Sequence, residues 1–290
     1  MANSLQKTKT KQQPFSVAIQ TDTYKNLINH TLGDPKKAEK FVASISSAVA
    51  INPDLKECEA GTILASGLLG ESLNLSPSPQ LGQYYLVPYN DRKNNRVTCT
   101  FQLGYRGLIQ LAIRTNSYKD IDALDVREGE FIGRDKATGK PLFEFIEDEV
   151  SRQSKKIIGY RAYFERLNGF TKVLYMSNEA LIAHAIRYSH IDGDVLQTVV
   201  NGGSLPEKDK WKYSSPWYTS FDKMASKTVL KQLLNVYGEF STEMVEAISK
   251  DQAQINVDGT YEYVGKDDEE EILEEDVVEV ESAEDVDILG

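Results

Sequence analysis

The chain has 290 residues, 40% hydrophobic and 27% charged, with a formal net charge of −11, enough for one large domain or two small ones. No apolar run approaches the ~18 residues of a membrane span, and the opening "MANSLQKTKTKQQPF" lacks the apolar core of a signal peptide, so a cytoplasmic protein is expected. Cys58 and Cys99 stand far apart with no Cys or His at metal-ligand spacing, which excludes a disulfide framework and a zinc site and leaves two buried thiols.

The acidity argues against a nucleic-acid partner only until it is located. Residues 266–290, "KDDEEEILEEDVVEVESAEDVDILG", hold 13 acids and one lysine, a net of −12, which leaves residues 1–265 at +1. A block of like charge without aromatics buries too little surface to fold, so a disordered acidic tail is expected over 252–290. The first 33 residues mix polar and basic types without sustained periodicity and read as a flexible arm. Between them lies a single core, 34–251.

Within that core the elements run as follows. "GDPKKAEKFVASISSAVAIN" reads as a helix capped by Asp34 with Pro35 in its first turn and Phe41, Val42, Ile45 and Val49 on one face. A second helix covers "KECEAGTILASGLLGESLNL" and stops at "SPSP". "GQYYLVPYN" and "RVTCTFQLG", aromatic and β-branched, flank "DRKN" as a hairpin with a polar, partly basic loop. "YRGLIQLAIRTN" returns to helical spacing through Leu108, Leu111 and Ala112. Four strand-like runs follow, "KDIDALDVR", "LFEFIE", "KIIGYRAYFERL" and "GFTKVLYM", with "GRDKATGKP" as a loop between the first two. "SNEALIAHAIRYSH" is a helix capped by Ser177, and a loop of some twenty residues then leads to the helix "SSPWYTSFDKMASKTVLKQLLNVYG", from Ser215 and Pro216 to Gly238. "STEMVEAISKDQ" closes the core. The class is α+β: N-terminal helices, a β-hairpin and an antiparallel sheet packed with helices, not a doubly wound parallel sheet.

Motifs for catalysis are thin. "GRDKATGK" has five residues between its glycines where a phosphate-binding loop needs four, and Pro141 stands where Ser or Thr would hold magnesium. "GYRG" is too short and too bulky for a dinucleotide loop. A metal-dependent nuclease would draw on Asp120, Asp122 and Asp125 or on Asp192 and Asp194, but these fit a solvated strand edge and a turn better. His30, His184 and His190 are scattered, with His184 on an apolar helix as a core residue would be, and no G-x-S-x-G elbow is present. No catalytic residue, metal site or cofactor is assigned.

The cations carry more. Lys223, Lys227 and Lys231 recur every fourth residue with no acid at i+3 or i+4, opposite a face of Phe221, Ala225, Val229, Leu233, Val236 and Tyr237. Like-charge neighbours cost ~0.2–0.5 kcal/mol each, so an uncompensated stripe points to an absent anion, against the plainer reading of a solvated face. Just upstream, "EKDKWKYSSPWY" interleaves Lys208, Lys210 and Lys212 with Trp211, Tyr213, Trp217 and Tyr218, the mixture of cations and rings that a single-strand platform uses. Trp217 fits equally well as an anchor in the core. Tyr105, Arg106, Arg114, Tyr118 and Lys119 surround the "YRGLIQLAIR" helix in the same manner.

The pair "LGYRGLIQLAIRTNSY" and "WYTSFDKMASKTVLKQLL" resembles the RecT family of phage-type single-strand annealing proteins over roughly residues 35–250. The resemblance implies the RecT/Redβ-like annealing fold and ATP-independent binding of single-stranded DNA. It also implies pairing of complementary strands through an annealed duplex intermediate and homo-oligomeric rings or helical filaments. A 5′-to-3′ exonuclease would be the partner, with a host single-strand-binding protein as a further one. It carries DNA binding onto Tyr105, Arg106, Arg114, Trp217, Lys223, Lys227 and Lys231, to which the composition adds Lys119, Lys210 and Lys212. The tail tip "EDVDILG" is similar to the tips with which single-strand-binding proteins dock partners; competition with DNA, partner recruitment and solvation all remain open for it. The rival classes are the metal-dependent nuclease and a structural oligomer of a phage particle.

Overall fold

The structure is a computed structural model and describes residues 13–263, except 92, 93, 190 and 209 and the side chains of 210 and 211. Three helices come first: Phe15–Ala18 (α1), Asp22–Leu32 (α2) and Pro35–Ile51 (α3). α3 begins where its cap predicts, the Asp34 carboxylate accepting the Lys36 amide at 2.8 Å. It buries Phe41, Ile45 and Val49, while Val42 is half-buried. The two short helices before it correct the expectation of a flexible arm through residue 33. Phe15, Ile19 and Ile28 are buried in the main core, and Gly33, at φ +63°, ends α2 in the left-handed region. Tyr24, Leu27 and Leu32, half-buried, pack against the same core, and tertiary burial rather than local periodicity orders the segment. The first twelve residues of the expected arm lie outside the described residues.

A 3₁₀ turn at Pro53–Glu57 leads to Ala60–Ser72 (α4), a helix buried on nearly every side. Its Gly70 lets α4 approach the next strand: a Cβ there would lie 2.3 Å from Cζ of Tyr84. Tyr84–Asp91 (β1) and Arg96–Leu103 (β2) form the expected hairpin, in register from Tyr84 opposite Leu103 to Asp91 opposite Arg96. Tyr84, Leu86, Phe101 and Leu103 point inward as the period of two requires, with Tyr84 stacked on Phe101 at 5.1 Å. Tyr105–Arg114 (α5) follows, burying Leu108, Leu111 and Ala112.

The second half builds another sheet. Tyr118–Arg127 (β3) is followed by Phe131–Arg134 (β4) and Pro141–Phe143 (β5), which form their own hairpin, and by a single turn, Glu149–Gln153 (α6). β4 was not expected as a strand, and the run "LFEFIE" contributes only its first residues to β5. Ile157–Arg166 (β6) and Thr171–Ser177 (β7) complete the antiparallel order β3-β6-β7. Asn178–Ser189 (α7) starts as predicted, with Ser177 Oγ accepting the Ala180 amide. Gly193–Val200 (α8) occupies part of the segment expected as loop, capped by the Asp192 carboxylate on the amides of Asp194 and Val195.

The long lysine-bearing helix is two helices, Pro216–Thr219 (α9) and Phe221–Tyr237 (α10), broken where Ser220 turns to φ −152°, ψ 50°. α10 packs on β3, β6 and β7 on one side and on α5 on the other, and every residue from 225 to 230 is buried. Thr242–Ser249 (α11) then leads into Ala253–Ile255 (β8) and Tyr261–Tyr263 (β9). These give the first sheet the order β1-β2-β8-β9, Ala253 pairing with Phe101. The core therefore runs past residue 251: Ala253, Gln254 and Ile255 are buried, because the open edge of β2 needs a partner for its backbone groups. The expected tail proper, from residue 264, lies outside the described residues. The class is α+β with antiparallel sheets, as the sequence implies.

Candidate nucleic-acid interface

The predicted cations fall into two groups, and the central one, buried Lys227 and half-buried Lys231, is engaged by a carboxylate. Lys227 Nζ lies 2.8 Å from Oδ1 of Asp251 and Lys231 Nζ 3.4 Å from its Oδ2. The Lys227 and Asp251 side chains are 8% and 1% exposed, and the same carboxylate accepts the Leu103 amide at 2.9 Å. Burial pulls the Lys227 ammonium below the ordinary lysine range, opposed by Asp251. Burial pushes the Asp251 carboxyl up, but Lys227, Lys231 and the Leu103 amide outweigh it and hold it below the usual carboxylate range. The stripe of three unpaired cations is thus corrected: a buried carboxylate 20 and 24 residues further on pairs with two of them. A scan of i+3 and i+4 neighbours cannot see it.

Other predicted residues also turn inward. Trp217 is 3% exposed and donates its Nε1–H to Ser189 Oγ at 3.1 Å, packing with Ile182, Ala185, Leu196 and Tyr218 in a small second core. It anchors α9 and offers no face for a base. Arg114 donates to the carbonyls of Leu73 and Asn74 at 2.5 and 2.7 Å, satisfying the C-terminal end of α4. Lys119 is exposed but paired with Glu165 across the β3–β6 ladder at 2.7 Å, which raises its pKa. Lys212 is exposed, and the Lys210 side chain lies outside the described residues. Of the carboxylates weighed for a nuclease, Asp122 pairs with Arg161, and Asp125 with Arg127 and Arg152. Among the described residues no group of three or more His, Cys, Asp or Glu is placed to hold a metal ion.

What remains is compact. Arg106, exposed at the start of α5, lies with its guanidinium 5.8 Å from the Tyr105 ring centroid. Its Nε–H donates to the Tyr105 hydroxyl at 3.2 Å and its Nη1–H to the Gln80 carbonyl at 3.3 Å. Lys223, exposed in the first turn of α10, holds its ammonium 5.6 Å from the ring centroid of Tyr85 on β1. Gly82 joins the two halves: a Cβ there would meet the Tyr85 hydroxyl at 3.0 Å and Cδ of Arg106 at 3.5 Å. Its φ of +62° lies in the left-handed region that favours glycine. The fold therefore gathers the exposed Arg106 and Lys223 and the half-buried Tyr85 and Tyr105, the latter packed in part against the main core, from β1, α5 and α10 into one surface. Neither cation is ion-paired among the described residues. Tyr85 was the residue not singled out beforehand; its outward position one step from inward Tyr84 was the available signal.

The model of the RecT family matches residues 39–272. Over 271 residues, 90% of this chain and 82% of the relative, the chain is 33% identical to "Uncharacterized protein YqaK" of Bacillus subtilis (strain 168). Over 265 residues, 86% of this chain and 87% of the relative, it is 23% identical to "Protein RecT" of Escherichia coli (strain K12). No described helix is long and apolar enough to cross a membrane.

Proposed function

The chain belongs to the RecT family of recombination and annealing proteins, and from that premise we propose that it binds single-stranded DNA through the Tyr85, Tyr105, Arg106 and Lys223 surface and promotes annealing of complementary strands without ATP. The observation that carries the reading is the convergence of two unpaired cations and two rings from three elements. Two of those elements, α5 and α10, are the segments that bear the family resemblance.

The chemistry follows from the side chains. Arg106 and Lys223 neutralise phosphates, while the Tyr85 and Tyr105 rings offer faces to bases of any identity. Such contacts position a strand and leave base edges free, so complementarity is read by the second strand. Base pairing and stacking in the product supply the free energy that a nucleotide triphosphate would otherwise provide. The reading includes a homo-oligomer, in which adjacent copies extend the surface along the strand, and a 5′-to-3′ exonuclease as the source of single strands.

The test is anisotropy of a labelled oligothymidylate against salt, followed by annealing with a complementary pair. Loss of two strand contacts in R106A/K223A lowers affinity across all sequences and flattens the log–log salt slope by roughly 1.4, at about 0.7 per contact. Lys227→Met leaves that slope unchanged, since its ammonium is spent on Asp251. Unaltered binding in R106A/K223A, or a slope change in Lys227→Met alone, refutes the assignment.

A further inference from the structure

Residues 264–290 concentrate 13 carboxylates against one lysine, while the rest of the chain is near neutral. The last described residue, Tyr263, ends β9 and pairs with Ala253, which pairs with Phe101 of β2. Two ladder steps of about 4.8 Å thus separate the start of the acidic segment from β2. Phe101 stands only five residues before Arg106. β9 and the Tyr85-bearing β1 are opposite edges of this sheet, three ladder steps or about 14 Å apart, and the 27 residues of the segment span up to about 90 Å when extended, so reach does not limit contact.

From this placement and the charge complementarity we infer that residues 264–290 dock on the surface formed by Tyr85, Tyr105, Arg106 and Lys223 and compete there with a strand. The inference rests on the nucleic-acid reading of that surface and goes beyond it by naming a second, built-in occupant. Arg106 and Lys223 have no carboxylate partner among the described residues, in contrast to Lys119, Lys227 and Lys231, so an acidic peptide meets them without displacing an existing pair. Tethering sets the local concentration of the segment in the millimolar range for a short linker, high enough for weak charge pairs to matter. The apolar residues spaced among the acids, Ile272, Leu273, Val277, Val278 and Val280, suit the ring faces of Tyr85 and Tyr105. A strand that binds must displace the segment. The device therefore discriminates: a long strand engaging several copies displaces it readily, and a short or weakly held anion does not.

The experiment uses the full chain. A water-soluble carbodiimide joins lysine amines to carboxylates in contact, and mass spectrometry reads which pairs formed. The expected product links Lys223 to carboxylates within 267–287, and unlabelled oligothymidylate suppresses it. In parallel, a full-length variant with all Asp and Glu of that segment changed to Asn and Gln binds labelled oligothymidylate about 10-fold more tightly at low salt, the gap closing at high salt. In the R106A/K223A background the same neutralisation changes affinity by less than about 2-fold, which separates docking from bulk repulsion. Absence of Lys223 linkage to the segment, or an equal gain in both backgrounds, overturns the inference while leaving strand binding intact. Failure of the parent protein to bind any strand, with the linkage still formed, would instead remove the proposed function.

Discussion

Replacing Asp251 by Asn tests whether the lysines of α10 belong to the core. The substitution keeps an oxygen for the Leu103 amide but removes the charge facing Lys227, whose side chain is 8% exposed. Breaking a buried pair by deleting one partner costs about 3–5 kcal/mol, because the other charge stays desolvated. Lys231, a third exposed and 3.4 Å away, adds little, in the range of ~0–1 kcal/mol for a screened pair. With a urea m-value near ~3 kcal/mol/M, the loss moves the unfolding midpoint down by at least ~1 M, read by far-ultraviolet circular dichroism. The double variant K227M/D251N recovers part of the loss, since an apolar stem replaces a stranded ammonium. A drop below ~1 kcal/mol in D251N, or a double variant as unstable as the two single losses summed, refutes the buried pair. The pH dependence has a definite sign. Because the native carboxyl of Asp251 lies below its unfolded value of 3.8, its contribution is fully present above that value and is lost as pH falls through the depressed native one. The D251N variant loses this acid limb.

Three further outcomes follow from the packing. Trp217→Ala removes the centre of the small core and its bond to Ser189, costing about 3–5 kcal/mol in denaturant titration, while the salt slope of strand binding in the folded fraction stays as in the parent; a changed slope would return Trp217 to the interface. Gly70→Ala drives a methyl into the Tyr84 ring, which is 1% exposed and stacked on Phe101, and costs about 1–3 kcal/mol or more; a neutral result would mean that α4 and β1 are not in contact. Cys58 has its pKa pushed up to about 12, chiefly by burial, so iodoacetamide at pH 8 modifies it slowly in the native protein and rapidly in urea, and equal rates would contradict its burial.

Local signals carried the elements whose order is set by their own residues. Asp34 and Pro35 fixed the start of α3, alternation fixed β1, β2, β3, β6 and β7, and Gly104 onward gave α5 through Leu108, Leu111 and Ala112. Elements stabilised from elsewhere were not legible. α8 is eight residues of which three are valine and one threonine, β-branched types that favour strands and that the Asp192 cap and the Trp217 core override. β8 is three residues made a strand by the β2 edge. The interface divides in the same way. Arg106 and Lys223 are exposed and Tyr105 is half-buried against the main core, whereas Lys227, Lys231, Arg114 and Trp217 are engaged by Asp251, Leu73, Asn74 and Ser189, which lie 20 to 41 residues away. Composition tells which side chains a strand would want; only the fold tells which are already engaged.

The bond between the Leu103 amide and Asp251 closes a span of 148 residues, and β8 joins β2 just beside it. During synthesis, then, the first hairpin leaves the ribosome with one side unzipped and must wait for half the polypeptide before its neighbour arrives. A topology dominated by such distant closures assembles slowly and exposes an adhesive margin meanwhile. Expression at lower temperature, or with general chaperones in excess, should raise the yield of native molecules more than any change to the surface cations.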